Sequence, residues 1–100
     1  LGTVPMQDVE LAIREMERCV LELKMPGIEI GTNINGINLG DARFHPFYER
    51  AEALGCAIFV HPWEMMGEQD MQRYWLPWLV GMPAETSLAI CNIFIIPRFC

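Results

Sequence analysis

A strand-like segment occurs three times along the chain, at intervals of about 28 residues, and each copy leads through a loop into a helical pattern. The three segments are residues 3–5, 28–32 and 58–61. Neighbouring parallel strands need a helical crossover between them, and the order strand, helix, strand provides one. The repeat therefore predicts an α/β protein built from about three βα units around a parallel sheet.

The segments between these strands carry clear start and stop signals. Asp8 is a favourable N-cap, and the apolar residues that follow it recur at helical spacing until residues 26–27, Pro-Gly, end the helix. Residues 33–40 are rich in Asn and Gly and predict a loop with a tight Asn-Gly turn. A second helix is predicted to end at Gly55, and a third to cover residues 84–94.

Two common α/β folds are disfavoured because their motifs are missing. No strand is followed by the Gly-x-Gly-x-x-Gly pattern of dinucleotide-binding folds, and the Gly-x-x-x-x-Gly-Lys-Ser/Thr pattern of P-loop proteins is absent. The architecture that remains is the (β/α)8 barrel, which needs eight strands and about 250 residues. The chain has 100 residues, so residues 1–100 are predicted to be a partial (β/α)8 TIM barrel, a fragment of one barrel domain.

The composition disfavours several classes of protein. Hydrophobic residues make up 52% of the chain, too many for a disordered segment. The net charge of -6 lacks the basic surface that a nucleic-acid partner requires. The longest apolar stretch, residues 88–96, is interrupted by Asn92 and is shorter than the roughly 20 residues that span a bilayer. Neither nucleic acid nor a membrane is therefore an expected partner.

The four cysteines are predicted to be free thiols. Cys19, Cys56, Cys91 and Cys100 are far apart in sequence and form no Cys-x-x-Cys pair for metal binding or redox chemistry. Reduced cysteines are typical of cytosolic proteins. The first residues show no basic region followed by an apolar region, so no signal peptide is predicted in them. Because the sequence begins with Leu1 rather than Met, the question whether a targeting segment precedes it stays open.

His61 is the residue of greatest chemical interest, because it follows a strand that is apolar throughout. Residues 56–60 predict a strand buried on both faces, and the active sites of (β/α)8 barrels lie at the C-terminal ends of the strands. An imidazole at that position can bind a divalent metal or transfer protons near neutral pH. It can equally be a strand-end histidine that only contacts a backbone carbonyl. One histidine is not a metal site, since a catalytic zinc usually takes three protein ligands.

A group of aromatic residues, residues 74–78, follows the loop after this strand. Trp75 can form the wall of a substrate pocket and donate its indole N–H to a carboxylate, or it can pack against a helix or a partner subunit. Glu64 and Glu68 are conceivable acid–base groups, but solvated loop carboxylates are the commoner case. His45, at a predicted helix start, is expected to be a capping or surface residue.

The most informative motifs are residues 59–65, Phe-Val-His-Pro-Trp-Glu-Met, and residues 74–86, which begin Tyr-Trp-Leu-Pro-Trp. Together with residues 2–7, 15–20 and 26–32, they resemble the metal-dependent decarboxylases of the amidohydrolase superfamily. Within that family, the resemblance is to the enzymes that act on an aminocarboxymuconate semialdehyde. The tryptophan-containing motif is specific to these enzymes, whereas a strand followed by His-Pro is shared by many relatives.

The resemblance implies a cytosolic homodimer of (β/α)8 barrels that binds one Zn²⁺. It also implies decarboxylation of a small-molecule substrate of tryptophan breakdown, without oxygen or an organic cofactor. By position, His61 matches a zinc ligand of the family, and Trp75 matches a tryptophan that contacts the substrate.

The resemblance leaves part of the family's machinery without a counterpart in this chain. The other zinc ligands, a His-x-His pair and an aspartate, are not matched, and neither is the catalytic histidine. No catalytic residue is therefore predicted here, and the isolated chain is predicted to be inactive. Residues 94–100 depart from the family pattern and are predicted to be an atypical C-terminal tail.

Two other interpretations of the sequence stay open. The parent barrel can be a different decarboxylase or a hydrolase of the same superfamily, which a comparison of substrate turnover would separate. Alternatively, the chain can be a non-catalytic, truncated product that associates with a partner through exposed apolar surfaces. Co-purification of a stable complex would support that interpretation.

Overall fold

The structure, a computed structural model, describes residues 1–65 and 67–94 of the chain. The predicted atypical tail starts at Phe94, the last residue of the final described helix, and its other residues, 95–100, lie outside the described ranges. None of the helices in the described ranges is long and apolar enough to cross a bilayer.

Apart from a short hairpin over residues 33–38, strands and helices alternate along the described residues in the predicted order. In chain order they are β1 (Gly2–Thr3), α1 (Val9–Glu17), β2 (Gly27–Gly31), β3 (Asn33–Ile34), β4 (Ile37–Asn38), α2 (His45–Leu54), β5 (Ala57–His61) and α3 (Met82–Phe94). Shorter helical turns occupy Arg18–Glu22, Ala42–Phe44, Glu68–Asp70 and Pro77–Gly81. These elements form two compact units, the first made of residues 1–30 and 41–60, the second of residues 31–40, 61–65 and 67–94.

Strands β1, β2 and β5 form one parallel sheet in that order, with β2 in the middle. Gly2 on β1 pairs with Ile28 on β2. On the other side of β2, the Ala57 N–H donates to the carbonyl of Pro26 at 3.1 Å. The strands approach so closely there that a Cβ at Gly27 would lie 2.6 Å from the Ala57 carbonyl oxygen. The predicted strand–helix–strand order around a parallel sheet is therefore confirmed.

Helices α1 and α2 pack against each other in the first unit, and the predicted start at Asp8 and stop at Gly55 are confirmed. The helical residues that follow α1 end at Glu22, before the stop predicted at residues 26–27. Asp8 caps α1 by accepting a hydrogen bond from the Leu11 N–H at 3.1 Å. Helix α2 stops at Gly55, whose φ of 65° is left-handed and favours glycine. An ion pair of 2.9 Å between Arg50 and Glu17 joins the two helices. The core of this unit contains the buried residues Met6, Ala12, Met16, Cys19, Ile28, Ile30, Phe44, Phe47 and Ala51.

The loop predicted over residues 33–40 contains a short β-hairpin that the sequence did not predict. Strands β3 and β4 are antiparallel, with Ile34 opposite Ile37. The predicted Asn-Gly turn joins them, and the φ values of 51° at Asn35 and 79° at Gly36 are the left-handed pair that a two-residue hairpin turn needs. Each strand is only two residues long, which is too short for an alternating pattern to reveal.

Helix α3 begins at Met82, slightly before the predicted start at Ala84. Asn92 on this helix is buried, and its side chain donates to the carbonyl of Leu88 at 3.0 Å. The carbonyl group of Asn92 lies directly against the α-carbon of Gly40, so any Cβ at position 40 would overlap it. Glycine therefore lets the segment after the hairpin touch the helix backbone.

One prediction about β5 is wrong. The apolar run over residues 56–60 predicts a strand buried on both faces, but Phe59 is 51% exposed and no residue of β5 is fully buried. Among the described residues β5 is an edge strand, so it lacks the second neighbouring strand that flanks an interior strand of a barrel. An apolar pattern indicates that a strand can be buried. It does not indicate whether the strands and helices that would cover it lie within the same 100 residues.

Candidate functional site

His61 is the last residue of β5 and is exposed at the C-terminal end of the strand. Its Nδ1 atom lies 2.8 Å from the carbonyl oxygen of Pro62. A carbonyl only accepts hydrogen bonds, so Nδ1 carries the proton in this contact and the lone pair of the neutral ring is on Nε2. This is the backbone contact that one interpretation of the sequence expects. Histidines that bind a metal through Nε2 commonly make the same contact, so both interpretations fit it.

Two neighbouring side chains hold the backbone of Trp63: Thr32, directly after β2, and Asn33, the first residue of β3. Thr32 Oγ1 accepts a hydrogen bond from the Trp63 N–H at 3.1 Å and donates to the Trp63 carbonyl oxygen at 3.3 Å. Asn33 Nδ2 donates to the same oxygen at 2.8 Å. We call these two side chains, Thr32 and Asn33, the Trp63 clamp. Thr32 is 2% exposed, so its hydrogen bonds are shielded from bulk water. Hydrogen bonds are stronger in such a low-dielectric environment, and these therefore fix the orientation of the Trp63 backbone.

A buried carboxylate supports the Trp63 clamp. Glu85 lies in the first turn of α3 and is 4% exposed, and its Oε1 atom lies 3.5 Å from Nδ2 of Asn33. The N-terminal end of a helix favours a negative charge, so the carboxylate is well placed there.

The sequence does not show that Thr32 and Asn33 meet Trp63 and Glu85, because Trp63 and Glu85 lie far from them along the chain. One signal was available. Thr32 and Asn33 come directly at the end of the predicted strand over residues 28–32, and the C-terminal ends of strands are where barrel sites are built. Thr32 and Asn33 are therefore the residues that could have been found as neighbours of the loop after β5.

Trp75 lies on an open groove in the second unit. Its side chain is 75% exposed, and both Trp75 and Tyr74 have left-handed backbones, with φ values of 59° and 58°. The groove has a volume of about 690 Å³ and is lined by Glu68, Met71, Gln72, Tyr74, Trp75, Pro77 and Trp78. His61 is not one of these lining residues, so the groove does not bring the two predicted site residues together. The substrate contact of Trp75 stays a prediction.

The other acid–base candidates from the sequence are surface residues. His45 lies at the start of α2, where it is exposed. Glu64 and Glu68 are exposed in the segment after β5. General acids and bases are usually set apart from solvent by burial, which shifts their proton affinity toward neutral pH. The three residues therefore have the surface positions that the commoner interpretation predicts.

Three of the four cysteines lie within the described residues, and all three have free thiols, as predicted: Cys19, Cys56 and Cys91. Burial raises the pKa of the Cys56 thiol, with a smaller contribution from the neighbouring Cys19. A thiol acts as a nucleophile through its thiolate, so Cys56 is held in its unreactive form near neutral pH. Cys100 lies outside the described residues.

A complete metal site cannot be assembled from the described residues. Within residues 1–65 and 67–94, no group of three or more His, Cys, Asp or Glu side chains is arranged to hold a metal ion. His61 would supply one ligand, whereas a catalytic zinc takes three protein ligands. The donors present in this part of the chain therefore do not fit a zinc site by themselves.

The chain is similar in sequence to several known proteins. The profile of the family described as "Amidohydrolase" matches residues 1–99. The 2-amino-3-carboxymuconate-6-semialdehyde decarboxylase of Dictyostelium discoideum is 59% identical over 93 residues, which cover 93% of this chain and 26% of that protein. The Caenorhabditis elegans protein of the same name is 31% identical over 111 residues, covering 81% of this chain and 27% of that protein. The chain thus spans about a quarter of the length of these relatives.

A solved structure has the same fold. The apo form of IDCase from Metarhizium anisopliae gives a TM-score of 0.83 at 24% identity, over 94% of this chain and 27% of that chain. At this level of identity the likeness concerns the fold, which is the TIM barrel of the amidohydrolases. The fold predicted from the repeat, a partial (β/α)8 barrel, is therefore confirmed.

Proposed function

The chain belongs to the amidohydrolase family, and on this basis we propose that it is part of an enzyme that decarboxylates 2-amino-3-carboxymuconate 6-semialdehyde. The observation that carries the proposal is the 59% identity, over 93% of the chain, with the Dictyostelium decarboxylase named for that substrate. Because the chain spans 26% of that relative, the activity is proposed for a barrel of the relative's length that contains this segment.

The proposed reaction breaks the bond between C3 of the substrate and its carboxylate. Carbon dioxide leaves, the electron pair of the broken bond stays on C3, and a proton replaces the carboxylate to give 2-aminomuconate 6-semialdehyde. Because the electron pair stays on carbon, the reaction needs neither an oxidant nor an organic cofactor. In tryptophan breakdown along the kynurenine route, this step would withdraw the semialdehyde from its spontaneous conversion to quinolinate.

His61 is proposed as one ligand of a zinc ion in that barrel. Its place at the C-terminal end of β5 supports this role, since barrel sites lie at that end of the strands. The contact between Nδ1 and the Pro62 carbonyl also supports it, because that contact keeps the lone pair on Nε2. The other ligands are proposed to come from parts of the barrel beyond these 100 residues.

Trp75 is proposed to contact the substrate. The substrate carries carboxylates, and an indole N–H is a donor that can bind one of them without adding a charge. The exposure of the Trp75 side chain and its place on the groove support this role, because the ring is accessible to a small molecule.

The proposal also includes a homodimer in the cytosol. The free thiols of Cys19, Cys56 and Cys91 suit a reducing compartment. In the second unit, the exposed side chains of Trp78 and Leu79 offer apolar area of the kind that subunit interfaces use. Sedimentation of the barrel-length protein tests the dimer, and a single species with the mass of a monomer would contradict it.

The decisive experiment uses a barrel-length protein that contains this segment. We expect it to consume the semialdehyde, to release one carbon dioxide for each substrate molecule, and to contain bound zinc. His61→Ala is expected to lower both the zinc content and kcat/KM, the latter by more than about 100-fold. His45→Ala, at the exposed start of α2, is the control and should change neither. Absence of turnover in the wild-type protein would contradict the proposal that the semialdehyde is the substrate. Full zinc content in His61→Ala would contradict the proposal that His61 is a zinc ligand.

A second candidate is the decarboxylation of an aromatic acid. The gamma-resorcylate decarboxylase of a Polaromonas strain is 38% identical over 71 residues, or 61% of this chain and 21% of that protein. Its lower identity and coverage place it behind the semialdehyde decarboxylase. Assaying one purified protein against both substrates separates the two candidates, because only the correct substrate should be turned over efficiently.

A further inference from the structure

The peptide group between Pro62 and Trp63 connects His61 to Thr32. The Pro62 carbonyl accepts a hydrogen bond from Nδ1 of the His61 ring at 2.8 Å, and the Trp63 N–H donates to Oγ1 of Thr32 at 3.1 Å. This carbonyl and this N–H belong to one planar peptide unit, in which they point to opposite sides. Any rotation of the unit therefore changes both contacts at once.

We infer that Thr32 is a positioning residue for His61, acting through this peptide group. Its hydroxyl fixes the direction of the Trp63 N–H, which turns the Pro62 carbonyl toward the His61 ring. The carbonyl then keeps the proton on Nδ1 and the lone pair on Nε2. Thr32 thus selects the tautomer of His61 indirectly, through the Pro62–Trp63 peptide group that lies between its hydroxyl and the ring.

The rest of the Trp63 clamp makes this arrangement resistant to rotation. The carbonyl of Trp63 accepts from both Thr32 and Asn33, so both backbone polar groups of Trp63 are held by the two side chains of the clamp. Asn33 is in turn within 3.5 Å of the buried Glu85 carboxylate. Turning the Pro62–Trp63 peptide would take the Trp63 N–H away from the buried Thr32 hydroxyl, a loss that a dry environment opposes.

The tautomer can be tested without reference to any activity, whereas its importance for catalysis rests on the proposed function. In that function Nε2 is the nitrogen that binds the metal, and the clamp would prepare it before the metal arrives. Supporting groups of this kind fix the ring orientation and tautomer of metal-binding histidines.

Long-range nitrogen–proton NMR of the full chain measures the tautomer directly. The chain contains two histidines, so His45 serves as an internal reference for His61. In the wild-type chain we expect the neutral His61 ring to carry its proton on Nδ1. Thr32→Val keeps the shape and removes the hydroxyl, so we expect the proton to move largely to Nε2, while Thr32→Ser keeps it on Nδ1.

The matched control is Thr3→Val, which makes the same chemical change on β1 and should leave the His61 tautomer as in the wild type. If Thr32→Val does not fold, Asn33→Ala replaces it. That variant removes the 2.8 Å bond to the Trp63 carbonyl and is expected to shift the tautomer in the same direction by a smaller amount. An unchanged Nδ1–H tautomer in the folded variant, or an equal shift in Thr3→Val, overturns the inference.

A kinetic comparison on the barrel-length protein separates this inference from the proposed function. Thr32→Val is expected to lower kcat by roughly 10- to 100-fold with little change in KM, and Thr32→Ser is expected to restore most of it. A changed tautomer with unchanged kcat would support the positioning of His61 and contradict its role in the proposed reaction. A changed tautomer in a protein with no activity at all would support the inference and count against the proposed function alone.

Discussion

The side-chain amide nitrogen of Asn33 lies 3.5 Å from a carboxylate oxygen of Glu85, and Glu85 is only 4% exposed. The first residue of β3 is thereby connected to the first turn of α3, although 52 positions separate the two residues in sequence. The connection matters for the loop after β5 as well, since Asn33 also binds the carbonyl of Trp63.

Removing the Glu85 carboxylate should destabilise the chain. Glu85→Ala is expected to lower the free energy of unfolding by about 1–3 kcal/mol, because it takes away the partner of a polar group in a buried position. Glu85→Gln keeps the size and a hydrogen-bonding oxygen and should have a smaller effect. The control is Glu68→Ala at an exposed position, which should change stability by less than about 0.5 kcal/mol. Urea unfolding measures all three, and equal effects at the two positions would contradict the role of the buried contact.

The stability of the chain should fall at alkaline pH in part because of Tyr48. Burial raises the pKa of Tyr48 to about 12, from a usual value of 10.0. The folded chain therefore keeps a proton that the unfolded chain loses. The resulting contribution to stability is complete below pH 10.0 and is lost as the pH rises toward about 12.

Tyr48→Phe tests this prediction, because phenylalanine cannot ionise. We expect the variant to lose less stability than the wild type between neutral pH and about pH 12, as measured by urea unfolding at each pH. Tyr74→Phe is the matched control, since the Tyr74 side chain is 77% exposed. The prediction fails if Tyr74→Phe reduces the alkaline loss as much as Tyr48→Phe does.

Substitution of Trp75 should weaken substrate binding in the barrel-length protein. Trp75→Phe keeps an aromatic ring and removes the N–H that is proposed to bind a substrate carboxylate. A hydrogen bond to a charged group contributes about 1.5–3 kcal/mol, so KM is expected to rise roughly 10- to 100-fold. Trp78→Phe makes the same change in the same groove and should have little effect. A larger rise in KM in Trp78→Phe than in Trp75→Phe would show that Trp78, and not Trp75, makes the substrate contact.

The 100-residue chain by itself should not decarboxylate the semialdehyde, even with added zinc. Its described residues offer no group of three metal-binding side chains, and no catalytic residue is predicted in it. Spectrophotometric assay of the purified chain, beside the barrel-length protein at equal concentration, measures this. Substrate consumption above the protein-free background would show that the chain carries a complete site.

Local features of this chain could be predicted because short stretches of sequence determine them. The cap at Asp8 and the stop at Gly55 depend on one side-chain oxygen and on one left-handed backbone, and both are read from neighbouring residues. The position of His61 at a strand end follows equally from the apolar run before it.

Features that depend on distant partners could not be predicted in this way. Thr32 and Trp63 are 31 residues apart, and nothing in either segment indicates that their polar groups meet. The exposure of Phe59 was predicted incorrectly for a related reason, since burial of β5 depends on elements that the described sheet does not contain. Sequence patterns therefore located the predicted metal ligand but did not identify the side chains that hold it in place.

The close approach of Gly40 to the Asn92 carbonyl brings the segment after the hairpin against the backbone of α3. Asn92 lies on the same helix as Glu85. A methyl group at position 40 would overlap the Asn92 carbonyl, so either the segment after the hairpin or α3 would have to shift. Because Glu85 belongs to the same helix, a substitution at position 40 bears on its contact with Asn33 as well.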